Sequence, residues 1–113
     1  MLPKKNRLKK KKDFKRVFKG GKSFKKGFLI LRFKKNDLKI NRFGFVVSKK
    51  VSKKAVKRNQ IKRRLREVVR SRMGFYKQGF DFIFISLPGL EKQNFKSIEE
   101  TILSLFNKSK ILK

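Results

Sequence analysis

Apolar residues recur at helical spacing through residues 53–73, KKAVKRNQIKRRLREVVRSRM. At about 100° per residue, Ile61, Leu65, Val68, Val69 and Met73 share one side. Asn59, Arg63, Arg66 and Arg70 fall together on the other side, and Lys62 flanks them. No Gly or Pro interrupts the run, and Ser52 is the predicted N-cap. Such a helix would be roughly 30 Å long. Nearer the start, Phe14, Val17 and Phe18 share one face of a short helix over residues 13–19, with Asp13 as its cap and Gly20-Gly21 as its stop.

Elsewhere the period is two. Residues 26–35, KGFLILRFKK, read as a strand with Leu29, Leu31 and Phe33 on one face and Phe28, Ile30 and Arg32 on the other. A polar turn over 36–41 leads to a second strand, 42–49, with Phe43, Phe45 and Val47 opposite Gly44, Val46 and Ser48. Two strands joined by a short turn predict an antiparallel pair, with residues 23–25 as a further short strand at the edge. After Gly74 a loop precedes a strand at 80–86, FDFIFIS, ended by Pro88-Gly89. The final helix, 95–107, carries Ile98, Ile102, Leu105 and Phe106 as its apolar stripe and Asn94 as its cap. The order α-β-β-β-α-β-α predicts an α/β (α+β) two-layer sandwich, one small mixed sheet with helices packed on it. Residues 1–113 read as a single domain, with a basic, flexible arm over 1–12 and a basic tail over 108–113.

Charge changes the picture more than any other property. The net charge is +29, from 36 Lys and Arg against 7 Asp and Glu. Within residues 53–73 the only acid is Glu67. Like charges at helical spacing repel, so a helix that tolerates them implies a counter-charge elsewhere. A polyanion, above all nucleic acid, is the partner that fits. Self-repulsion also predicts a salt-sensitive free protein.

The chain has no Cys and no His, which removes thiolate chemistry, the commonest general base and the commonest metal ligand. Its acids are scattered and do not suggest the converging carboxylates of a two-metal nuclease. The polypeptide is therefore not expected to hydrolyse RNA by itself. No secretory signal or membrane-length apolar run is present, so a soluble, cytoplasmic protein is expected.

Phe supplies 13 residues. Phe80, Phe82 and Phe84 alternate on one strand and are expected in the core. Phe14 and Phe18, one turn apart behind the basic arm, are the candidates for stacking on bases. On the residues alone, core packing stands slightly ahead of stacking for both.

KKAVKRNQIKRRLRE, residues 53–67, resembles the Arg-Asn-Arg motif helix of the bacterial ribonuclease P protein family. RLKKKKDFKRVFKGGKSF resembles that family's N-terminal segment, RFGFVVSKKV the strand leading into the motif helix, and FDFIFI its last strand. The resemblance implies an α/β sandwich with a left-handed crossover. It implies a protein subunit that binds a catalytic RNA and the 5′ leader of precursor tRNA. That subunit would assist removal of the leader and broaden the substrate range. Catalysis would lie with the RNA, and Mg²⁺ would be bound mainly by the RNA. Neither a membrane nor an obligate protein partner is implied.

Carried over by position, Arg58, Asn59, Lys62, Arg63, Arg64, Arg66 and Arg70 would face RNA. The leader would meet Phe14, Phe18, Leu31, Phe33, Lys62 and Arg66. The resemblance tips Phe14 and Phe18 toward binding. Two departures stand out. Gln60 replaces the motif's usual last Arg, which removes one ionic contact. Leu31 takes the place of a Tyr that stacks on the leader in some relatives, with Phe33 as the substitute on the same strand face. A ribosomal or general RNA-packing protein is the alternative, and a membrane-active or DNA-coating cationic protein a more distant one.

Overall fold

The computed structural model describes residues 2–72 and 76–109. Met73, Gly74 and the last four residues of the tail lie outside the described residues. The elements are α1 (Lys11–Gly20), β1 (Lys22–Lys26), β2 (Leu29–Lys35), β3 (Arg42–Val46), α2 (Ala55–Ser71), β4 (Phe80–Ser86) and α3 (Phe95–Lys108), with short 3₁₀ turns at Lys4–Asn6 and Leu90–Lys92. The element order matches the sequence reading.

The sheet does not match it in one respect. Its order is β1-β2-β4-β3, with β1–β2 and β2–β4 antiparallel and β3–β4 parallel. The predicted antiparallel pairing of the second and third strands therefore fails, because β4 lies between them. The physical reason lies in β4 itself. It is covered on both faces, with Phe82 and Phe84 turned one way and Ile83 the other, all fully buried. A strand apolar on both faces belongs inside a sheet, not at its edge.

One face of the sheet packs on α2 and α3. Ile61, Leu65, Val68 and Val69 of α2 meet Ile98, Ile102, Leu105 and Phe106 of α3 in one buried cluster with Leu29, Leu31, Phe33, Phe43, Phe82 and Phe84. Phe106 stands edge-on to both Phe82 and Phe84, with ring centroids 5.4 and 5.6 Å away. The opposite face packs on α1, where Val17, Ile83 and Leu8 form a smaller core. The Asn94 cap is realised: its side chain accepts from the Ser97 N–H at 2.8 Å.

Two other predicted caps are not. Ser52 lies two residues ahead of the actual N-cap of α2, Lys54, and accepts a 3.3 Å bond from the Lys54 N–H. Asp13 lies inside α1, which starts two residues earlier, and pairs with Arg42 at 3.4 Å. Its charge near the helix N-terminus is favourable without capping.

The N-terminal segment, expected to be a free arm, is packed. Leu2 and Leu8 are buried. Asn6 donates to the Asn41 carbonyl at 2.7 Å, and Arg7 bridges Phe43 in parallel beside β3. Few but well-placed apolar residues anchor a segment that composition alone marks as solvated.

Candidate RNA-binding cleft

The candidate site lies where three elements meet at the β3 edge. Glycine at position 44 leaves room for the Phe14 ring: a β-carbon built there would sit 2.6 Å from the ring's Cζ. Phe14 of α1 thus lies against the sheet, half-buried, and forms one wall of a cleft of about 310 Å³. Lys62 and Arg66 of α2 form the facing wall, Phe43 and Phe45 belong to the floor, and Arg7 and Lys9 close the rim. A half-buried aromatic opposite two cations is a place for an unstacked base and its phosphate.

Arg66 is the central residue of that wall. Its guanidinium sits 5.9 Å from the Phe45 ring centroid, within cation–π range. Burial, followed by the neighbouring charges of Arg7 and Arg63, lowers its pKa from the ordinary guanidinium value. The same three arginines, with Leu2 and Glu67, line an adjoining recess of about 280 Å³. Three guanidinium groups held this close repel one another, and an anion among them would relieve that repulsion.

The other residues of the basic helix spread around it. Asn59, Arg63, Arg64 and Arg70 are exposed. Arg58 donates from Nη1 to the Ser52 and Lys53 carbonyls, both at 3.0 Å, so it steadies the turn into α2 as well as facing outward. Gln60 is exposed on the same helix.

Phe18 is 41% exposed, one turn beyond Phe14 on α1. Arg32 lies 5.7 Å from its ring centroid and donates to the Phe18 carbonyl at 2.6 Å. Lys15 and Lys19 share the recess beside it.

Leu31 and Phe33 are not brought to this surface. Leu31 has no exposure and Phe33 only 6%, because both point into the α2–α3 core. The strand's other face carries Arg32, so the leader-contact assignment to Leu31 and Phe33 is corrected by the pleat, which turns successive side chains to opposite sides.

A buried ion-pair hub, invisible in the sequence, holds the cleft's elements in place. Asp81 of β4 is fully buried. It accepts from Arg42 of β3 at 2.7 and 2.8 Å, from Arg16 of α1 at 2.6 Å and from Asn36 at 2.9 Å. Burial pushes its carboxyl up, but the hydrogen bonds of Arg42 and Asn36, the Arg42 charge and the Arg16 bond outweigh burial and hold it below the usual carboxylate range. With both oxygens engaged by cations and an amide, this carboxylate does not fit a metal ion. No group of three potential metal-ligating side chains exists among the described residues. None of the helices among them is long and apolar enough to cross a membrane.

Fold and cleft together define a small α+β nucleic-acid-binding domain with one basic helix set beside an aromatic groove. The family model described as Ribonuclease P matches residues 2–110, and the chain belongs to the ribonuclease P protein family. It is 38% identical over 107 residues to the ribonuclease P protein component of Alkaliphilus metalliredigens, covering 95% of this chain and 96% of that one. It is 37% identical over 109 residues to that of Syntrophomonas wolfei, covering 96% and 91%. Among solved structures, the RNase P protein of Staphylococcus aureus superposes with a TM-score of 0.87 at 28% identity, covering 96% of this chain and 98% of that chain. That of Thermotoga maritima superposes with a TM-score of 0.82 at 34% identity, covering 90% and 96%. RNA binding and a part in tRNA processing, as the protein subunit of an endoribonuclease holoenzyme, follow from the family.

Proposed function

We propose that the protein grips the catalytic RNA of ribonuclease P through the exposed cationic face of α2, including Asn59, Arg63 and Arg70. It seats the single-stranded 5′ leader of precursor tRNA between Phe14 and the Lys62–Arg66 wall, with Phe18 as the next stacking surface. The observation that carries this reading is that Phe14, seated on Gly44, lines one cleft together with Lys62 and Arg66.

The chain's own residues would bind and orient. Arg66, held by Phe45, and Lys62 would neutralise leader phosphates. The aromatic rings would accept bases in a sequence-tolerant way, because every base has a π-face. Bond cleavage and the Mg²⁺ that supports it belong to the RNA in this reading, in the cytoplasm where precursor tRNA is made. Cationic side chains that lower phosphate repulsion would reduce the Mg²⁺ the RNA needs and extend the range of substrates it holds.

The test is precursor tRNA cleavage by a bacterial ribonuclease P RNA at low Mg²⁺. Added protein should stimulate cleavage at the mature 5′ end, and protein alone should give no product. Absence of stimulation by folded protein would refute the reading.

A further inference from the structure

A second concave site lies away from the cleft, two strands across the sheet. It is a recess of about 300 Å³ beyond the C-terminal end of α1, the low end of small-ligand site volumes. Phe80 and Phe33 form its apolar side, their rings edge-to-face at 6.0 Å. Phe80 is half-buried and offers the accessible ring; Phe33 backs it. Lys22, Lys34 and Lys35 supply the cationic side. No carboxylate is among the described residues that line it.

The three lysines are not equivalent. The Lys34 ammonium lies against Gly20, 2.6 Å from where a β-carbon would be. It is placed at the C-terminus of α1, where a cation favours the helix dipole, and that placement needs no ligand. Lys22 and Lys35 have no such use. Both are exposed, and neither forms an ion pair among the described residues. The simple explanation for them is a solvated rim. It leaves unexplained why both flank a half-exposed phenylalanine in a concavity, where mutual repulsion opposes them and an anion would relieve it.

We propose that this recess binds one unpaired RNA nucleotide, its base against Phe80 and its phosphates between Lys22, Lys34 and Lys35. The charge and the aromatic ring match a nucleotide and match neither a peptide nor a lipid surface as well. The recess adjoins the C-terminal end of α1 through Gly20, two residues beyond Phe18, while Phe33 and Phe80 reach it from the opposite sheet face. The nucleotide therefore comes either from the far part of a long leader or from a single-stranded segment of the catalytic RNA. The proposal rests on the leader-cleft reading for its geometry but adds a contact that the reading does not require.

The chain contains no cysteine, so a unique cysteine can carry a photo-crosslinker. Holoenzyme would be assembled from a bacterial ribonuclease P RNA and the full-length protein bearing the probe at Lys35→Cys, with Lys62→Cys as the reference. The precursor tRNA would carry either a long or a short leader, and each RNA would be labelled in turn. The Lys35→Cys probe is expected to crosslink RNA. A product with the long leader that disappears with the short one assigns the nucleotide to the leader; a product with the catalytic RNA assigns it there. Crosslinking from Lys62→Cys with none from Lys35→Cys overturns this proposal and leaves the cleft reading standing. No crosslink to the leader from Lys62→Cys overturns the cleft reading first.

Two variants add a quantitative arm. Lys22→Gln with Lys35→Gln should flatten the slope of log affinity against log salt by about 0.7 per lysine, the single-strand value. Phe80→Leu, which keeps an apolar side chain at the core margin, should weaken binding about fivefold through lost stacking. Unchanged affinity and slope in both variants would equally overturn the proposal.

Discussion

Replacing Gly44 with alanine tests the cleft at its narrowest point. The new β-carbon would meet the Phe14 ring at 2.6 and 2.9 Å and the Leu8 β-carbon at 3.3 Å. The first two separations are shorter than carbon atoms tolerate, so Phe14 must move. The ring is only half-buried and can swing toward solvent, so the cost to folding should sit near the low end of overpacking, about 1 kcal/mol. Alanine's better fit to a strand offsets part of that.

The cost to leader binding should be larger. A base stacked on an aromatic side chain contributes about 1–3 kcal/mol, so displacing the ring should weaken precursor tRNA binding by the holoenzyme roughly 5- to 150-fold. Mature tRNA lacks the leader, and its affinity should be nearly unchanged. The assay is equilibrium binding of precursor and mature tRNA to holoenzyme, alongside thermal unfolding of the free protein. Equal loss for both substrates, or no loss with a folded protein, would refute Phe14 as a leader contact.

Three other outcomes follow from the same geometry. Asp81→Asn should destabilise the fold by about 3 kcal/mol by chemical denaturation, the low end for breaking a buried ion pair, because Arg16 and Arg42 keep some access to solvent. Since the folded Asp81 pKa is depressed, its contribution is fully present above the ordinary carboxylate pKa of about 4 and is lost as pH falls through the lower folded value; acid unfolding of the Asn variant should lack that component. Arg63→Ala with Arg66→Ala should flatten the salt dependence of RNA binding by about 0.7–0.9 per residue while shifting stability by less than about 1 kcal/mol, the value of the Arg66–Phe45 contact; a double variant that fails to fold would contradict the assignment of faces. Leu31→Ala should cost about 2–5 kcal/mol of stability with no selective loss of precursor over mature tRNA, because Leu31 has no exposed surface.

The parts of the fold readable from sequence were those set by local periodicity. The apolar stripes of α2 and α3, the Asn94 cap and the bounds of β4 each depend on residues within a few positions of one another. Strand order depends on which strand needs cover on both faces, and FDFIFIS carried that signal in its apolar residues on both faces. The hairpin between β1 and β2 was masked by continuous strand-forming residues; its turn rests on Gly27, at φ +55°. The arm's packing depends on Leu2, Asn6 and Leu8 meeting partners more than thirty residues away, which no local pattern encodes.

The same division holds for the cleft. Lys62, Arg66 and Phe14 could be named from spacing and resemblance. Arg7 and Lys9 could not, because they join the cleft only through the arm's register with β3, and Phe45 could not, because it joins through the approach of Arg66 from α2. Gly44 did carry a signal: a glycine inside a strand of bulky residues marks a close approach, here by Phe14. Leu31 and Phe33 lie with Leu29 in the core, as the two-residue period of β2 predicts; the leader contacts that the resemblance implies do not carry over at these two positions.

In the proposed reading the leader occupies the groove between α1 and α2. The most direct measurement is energy transfer between a dye on a unique cysteine at Lys9→Cys, at the rim of the cleft, and a dye on the 5′ leader of precursor tRNA in the assembled holoenzyme. Strong transfer is expected with precursor tRNA and should vanish when cleavage releases the leader. Transfer no greater than that from a dye at exposed Lys96→Cys, on the first turn of α3, would contradict the reading.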